Sequence, residues 1–150
     1  MADEKWIIYW DEYNADTYIY GSEITFHRRD DVEYKNSLMP PGTVIKQWYS
    51  KTNFQRQHRE PSLPMIDGEG CYSISIHMDL LPGASALVRL VFYDRYDNEV
   101  GYFNVRGNFA RFQCPLKTYS YTLQLINSGV THFHFHSIVM QENEVEKTEE

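Results

Sequence analysis

No apolar run in this chain approaches the roughly 20 residues that a helix needs to cross a bilayer. The N-terminus lacks a basic segment followed by an apolar one, so the expectation is a cytoplasmic protein without a secretory leader. Cysteine is scarce: Cys71 and Cys114 are too few for a disulfide-dense scaffold, and their spacing is not that of a zinc knuckle. Two buried thiols in a reducing compartment are the favoured reading, with a single structural disulfide as the alternative. Positive charge is also short, with 14 Lys and Arg against 21 Asp and Glu for a net −7. That balance argues against a nucleic-acid backbone as principal partner. Nucleophile and phosphate motifs are missing as well. There is no Gly-x-Ser-x-Gly, no Gly-rich phosphate loop and no His-Glu-x-x-His. Ser73 or Cys71 with His77 is a nominal pair in a strand whose alternation already explains all three, so no catalytic residue and no cofactor are assigned.

What the chain does have is period two. Its 150 residues suit one domain with a sizeable core, and helix periodicity and internal repeats are both absent. Trp6 to Trp10 reads as an opening strand. Thr17 to Tyr20 and Glu23 to His27 flank Gly21-Ser22 as a hairpin, and Val44 to Tyr49 follows the Met39-Pro40-Pro41-Gly42 breaker. Tyr72, Ile74, Ile76 and Met78 alternate with Ser73, Ser75, His77 and Asp79 as a half-buried strand that ends before Pro82-Gly83. Val88, Leu90 and Phe92 share a face ahead of the turn Asp94-Arg95-Tyr96-Asp97-Asn98, whose carboxylates suit turn formation better than calcium or acid/base work. Val100, Tyr102 and Asn104 follow on the return strand. Phe109 to Phe112 reads as short and edge-like because Pro115 removes a backbone donor nearby. Tyr119, Tyr121, Leu123 and Leu125 form one more alternating strand before Asn127-Ser128-Gly129. Eight to ten such strands predict two packed antiparallel sheets, an all-β jelly-roll sandwich over residues 1–141, with an immunoglobulin-like sandwich or small barrel as alternatives. Residues 142–150 carry five Glu against Lys147, −4 of the chain's −7, and read as a flexible acidic tail; a partner-binding tail is the alternative.

Thr131 to Met140 is the most informative stretch. Alternation puts His132, His134 and His136 on one face of a strand and Phe133 and Phe135 on the other. The histidines admit two readings: a solvent- or partner-facing row over buried phenylalanines, which is favoured, or a metal site completed by a carboxylate such as Asp79. No metal ligand is assigned. The long polar connection from Ser50 to Gly70 adds Asn53, Arg56, His58 and Arg59 beside Trp48-Tyr49, and an aromatic with directional polar groups suits a glycan or peptide groove. Trp48 reads also as a sheet-core residue, which is the more common fate of such a tryptophan.

Ordered along the chain, Tyr20-Gly21-Ser22, Met39-Pro40-Pro41-Gly42, Ile45 through Trp48-Tyr49-Ser50 to Asn53, Arg59-x-Pro61-x-Leu63-Pro64, Phe92-Tyr93-Asp94-Arg95, and Asn127-x-Gly129 followed by Phe133-x-Phe135 together resemble the third accessory secretory protein family. The resemblance covers about residues 6 to 140. It implies a jelly roll like that of a carbohydrate-binding module, and a non-enzymatic subunit of the accessory Sec system that exports serine-rich-repeat glycoprotein adhesins. Implied partners are the first and second accessory secretory proteins, the accessory motor ATPase, and the adhesin through its glycans. Recruitment to the inner face of the membrane through that complex is implied too. Trp48, Asn53, Arg56, Arg59 and Arg95 are the groove or partner-contact candidates by position, with His132, His134 and His136 as a further partner-facing row outside the family pattern. A free-standing carbohydrate-binding module and a metal-dependent sandwich enzyme are the competing functions.

Overall fold

The computed structural model describes residues 5–10, 17–50, 63, 70–105 and 107–143. Among these residues ten strands build two antiparallel sheets: β1 (Lys5–Ile8), β2 (Glu23–Arg28), β3 (Asp31–Lys35), β4 (Val44–Tyr49), β5 (Cys71–Leu80), β6 (Ala86–Tyr93), β7 (Glu99–Val105), β8 (Phe109–Gln113), β9 (Ser120–Asn127) and β10 (His132–Asn143). One sheet runs β2-β3-β10-β5-β8, with β1 also paired to β10; the other runs β4-β9-β6-β7. The all-β jelly-roll sandwich is thus the architecture, and β8 is an edge strand as its neighbouring proline foretells.

The twelve-residue β10 organises the first sheet. It pairs along its length with β5, while its other edge is shared by β3 against His132 to Phe135 and β1 against Ile138 to Gln141. A bulge between Phe135 and Ser137 inserts one residue and reverses the parity of the alternation. That is why Phe133, Phe135, Ile138 and Met140 all face inward although their spacing breaks period two at one point. Without the bulge, Ile138 and Met140 would share the histidine face. The strand also passes the expected domain boundary, because Glu142 and Asn143 pair with Tyr72 and Cys71.

Aromatic rings fill the space between the sheets. Phe135 stacks on Trp48 of β4, with centroids 5.5 Å apart, and meets Trp10 edge-on at the same distance. Phe133 stacks on Tyr34 at 5.1 Å, and Phe112 packs on both Phe92 and Phe103 of the opposite sheet. Such offset and tilted pairs favour the contact of a positive ring edge with a negative face. Lys46 is fully buried among them, its Nζ 5.1 Å from the Trp10 ring and hydrogen-bonded to Thr17 Oγ1 at 3.1 Å.

One sequence expectation changes, the hairpin about Gly21-Ser22. Glu23 to His27 forms its hairpin with Asp31 to Lys35, whereas Thr17 makes an isolated bridge to Lys46. The turn falls at Arg29-Asp30 because β3 has its own alternation, Val32 and Tyr34 inward and Asp31, Glu33 and Lys35 outward. Asp94 behaves as a turn residue: its Oδ1 accepts the backbone N–H groups of Tyr96 and Asn98, and Asp97 takes a φ of 66°. Cys71 and Cys114 are not joined in a disulfide, and Cys114 is buried and Cys71 half-buried.

Candidate functional site

Outward-facing residues of β2, β3, β10 and β5 concentrate titratable chemistry on one face of the six-stranded sheet. Register sets His134 beside Glu33 on one neighbour and Asp79 on the other, with His132 beside Lys35. The hydrogen-bond partners of these imidazoles are carboxylate and carbonyl oxygens, so the ring nitrogens donate. His132 Nε2 donates to Glu33 Oε2 at 2.7 Å and His27 Nε2 to Glu33 Oε1 at 2.8 Å. Those two bonds, His27's first, hold the Glu33 carboxyl down to about 2. His134 Nδ1 donates to Asp31 Oδ1 at 2.8 Å, which lowers the Asp31 carboxyl below its ordinary value.

The donation from Nδ1 fixes the His134 tautomer and leaves its Nε2 facing Glu33 Oε2 at 3.8 Å, too far for a hydrogen bond. The His27 and His134 rings stack at 5.9 Å, nearly parallel. One ligand atom each from Glu33, His132 and His134 lies within 4.8 Å of the other two, a set able to hold a metal ion. His136 stands apart from them. Its Nε2 reaches Asp79 Oδ2 at 2.9 Å and its Nδ1 the carbonyl of Asp30 at 2.7 Å, and these acceptors raise its pKa, the Asp79 bond most.

The sequence candidates therefore scatter. Trp48 is 1% exposed, its Nε1 donating to the Tyr9 carbonyl at 3.1 Å, so it belongs to the core and cannot line a surface groove. Arg95 is exposed in the β6–β7 turn with its guanidinium 5.6 Å from the Tyr119 ring centre. Asn53, Arg56 and Arg59 lie outside the described residues. His132 and His134 converge, but on Glu33 rather than Asp79, which is occupied by His136. Glu33, Asp31 and His27 are not among the sequence candidates: His27 enters there only as the end of a strand, and no element is assigned to Asp31 and Glu33, although the strict alternation of Asp-Val-Glu-Tyr-Lys is the signal that marks β3.

A second feature lies on the outer face of the four-stranded sheet. Arg89, Val91, Tyr93, Glu99, Tyr102 and Gln124 line an open groove of about 360 Å³. Arg89 Nε donates to Asn104 Oδ1 at 2.8 Å and its guanidinium lies 5.5 Å from the ring centre of the exposed Tyr102. An aromatic face beside amide, guanidinium and carboxylate groups has the chemistry to contact a polyhydroxylated ligand.

Comparison with known proteins agrees with this frame. A protein named accessory Sec system protein Asp3 from Streptococcus gordonii is 38% identical over 126 residues, 84% of this chain and 79% of that protein. One of the same name from Staphylococcus aureus is 26% identical over 142 residues, although this chain spans only 44% of it. Among solved structures, a chain of accessory secretory protein 1, 2 and 3 from Streptococcus pneumoniae superposes with a TM-score of 0.85 at 26% identity, covering 91% of this chain and 95% of that one. The Gap123 glycosylation-associated complex of Streptococcus agalactiae also gives 0.85, at 30% identity, covering 97% of this chain and 49% of that one. The xylan-binding CBM22-1 domain of Paenibacillus barcinonensis Xyn10C shares the fold at a TM-score of 0.52, with 10% identity over 97% of this chain and 98% of that domain. Residues 17–142 match the family described as Accessory Sec secretory system ASP3, and the chain belongs to that family.

Proposed function

We propose that this protein works as a non-enzymatic subunit of the accessory Sec machinery, assembling with the first and second accessory secretory proteins. The observation that carries the reading is the superposition on a chain of the pneumococcal 1, 2 and 3 structure, of which 95% is covered at a TM-score of 0.85. A match over nearly the whole of that chain supports the same docking surfaces in both. Through the assembly the subunit contributes to export of a serine-rich-repeat adhesin and meets the motor ATPase at the inner face of the membrane. Among the described residues no helix is long and apolar enough to cross a membrane. Co-expression with the two companion proteins of the same organism tests the proposal: a stable complex is expected on size exclusion, and elution as a lone chain beside both companions contradicts it.

A second reading, direct contact with the adhesin's glycans, is favoured by the groove around Tyr102, Arg89 and Gln124. It expects saturable binding of a glycosylated adhesin fragment that Tyr102→Ala removes while the fold is kept. Equal binding by the unglycosylated fragment would assign the contact to polypeptide instead.

A further inference from the structure

We propose that Glu33, His132 and His134 form a binding site for a divalent transition-metal ion of the zinc class, bridging β3 and β10 on the outer face of the six-stranded sheet. Two imidazole nitrogens and one carboxylate oxygen make a donor set of the borderline character that zinc prefers. Strand geometry supplies the convergence: His132 and His134 project from one face of β10, and Glu33 stands directly across from His134 on β3. Donors bound at ~2.1 Å to one tetrahedral ion lie about 3.4 Å from each other. The 2.7 Å from Glu33 Oε2 to His132 Nε2 and the 3.8 Å to His134 Nε2 bracket that separation. Small side-chain rotations open the first and close the second, and binding displaces the proton that His132 Nε2 shares with Glu33, which is released or carried on Nδ1.

The surroundings are arranged as metal sites arrange theirs. Asp31 accepts the Nδ1 proton of His134, which leaves Nε2 as the nitrogen on the Glu33 side, where a metal ion can take the place between it and the carboxylate. His27 holds the second Glu33 oxygen at 2.8 Å and fixes the carboxylate's orientation. Lys35 opposes binding, its Nζ 3.5 Å from Glu33 Oε2, but its side chain is half exposed and free to swing into solvent. His136 is excluded from the ligand set because Asp79 and the Asp30 carbonyl take both of its nitrogens.

Three protein ligands leave a fourth position for water or for a donor from a docked partner. The site thus offers a way to staple the β2–β3 hairpin to the central strand and to extend that staple to a neighbour.

Calorimetric titration of the untagged full-length chain with Zn²⁺ tests this, with Co²⁺ absorption to identify the donors. One equivalent is expected, with cobalt bands of nitrogen and oxygen ligation and no thiolate charge transfer. Glu33→Gln and His134→Ala should abolish stoichiometric uptake, Asp31→Asn should weaken it by about 10-fold to 100-fold, and His136→Ala should leave it unchanged. Circular dichroism of each variant separates loss of the site from loss of the fold, and the near-isosteric Glu33→Gln decides the matter if His134→Ala unfolds. The proposal is overturned by absence of stoichiometric binding at micromolar zinc, by undiminished binding in Glu33→Gln, or by a thiolate signature that assigns the ion to Cys71.

Discussion

Truncating Phe135 to Ala should be among the most damaging single changes in the chain. The ring is 1% exposed and lies between two tryptophans, stacked on Trp48 at 5.5 Å and edge-on to Trp10 at 5.5 Å. Both indoles are themselves fully buried and tied into other contacts, Trp48 through its bond to the Tyr9 carbonyl, so they cannot collapse far into the vacated space. A Phe to Ala change at such a site costs about 3–5 kcal/mol, the transfer loss plus an unfilled cavity. Against a total of about 5–15 kcal/mol for a typical domain, that leaves the variant near the edge of folding. Urea denaturation followed by tryptophan fluorescence measures it. With a slope of about 2 kcal/mol per molar urea, the midpoint should fall by about 2 M. His134→Ala, one residue away on the opposite face, is the matched control and should move the midpoint by a small fraction of that. Equal shifts for the two variants, or a loss below about 1 kcal/mol for Phe135→Ala, would refute the assignment of inner and outer faces to β10.

Asn127→Ala should cost about 3 kcal/mol by the same assay, because the buried amide donates to the Met39 and Pro40 carbonyls at 3.2 and 3.0 Å and accepts from Gly129 and Val130 at 3.0 and 2.8 Å. A near-neutral result would mean that water replaces it. Asp94→Ala should lower the thermal midpoint at neutral pH by a margin that disappears in acid. The folded-state carboxyl is held below its ordinary value by the backbone N–H of Asn98 first, so its contribution is complete above the unfolded value near 3.8 and is lost as pH falls through the lower folded value. A wild-type to variant difference that persists unchanged well below pH 3.8 contradicts that origin.

The sheets were legible because burial between two antiparallel layers imposes period two on the inward face. Tyr72, Ile74 and Ile76 of β5, Val88, Leu90 and Phe92 of β6, and Tyr121, Leu123 and Leu125 of β9 are all buried as that rule requires. The inward Phe133 and Phe135 follow from it as well. What escaped were the places where a local device overrides the period. The bulge at His136-Ser137 changes parity, and a hydrophobic pattern of 133, 135, 138 and 140 is its only trace in the sequence. β3 was hidden because Asp31 and Glu33 read as solvent-facing charge after Arg28-Arg29-Asp30, and without β3 the carboxylate that meets the histidines could only be sought along β5. Trp48 illustrates the opposite limit: residue type alone suits a groove as well as a core, and only the packing of Phe135 and Trp10 against it decides.

A pull-down of the tagged protein from its native cell, read by mass spectrometry for the two companion secretory proteins and the motor ATPase, tests membership of the export assembly most directly. Enrichment of both companions, retained in salt and independent of adhesin glycosylation, is the result predicted by a subunit that binds through its own sandwich surface. Recovery of glycosylated adhesin with neither companion present would contradict it and assign the chain to free-standing glycan binding.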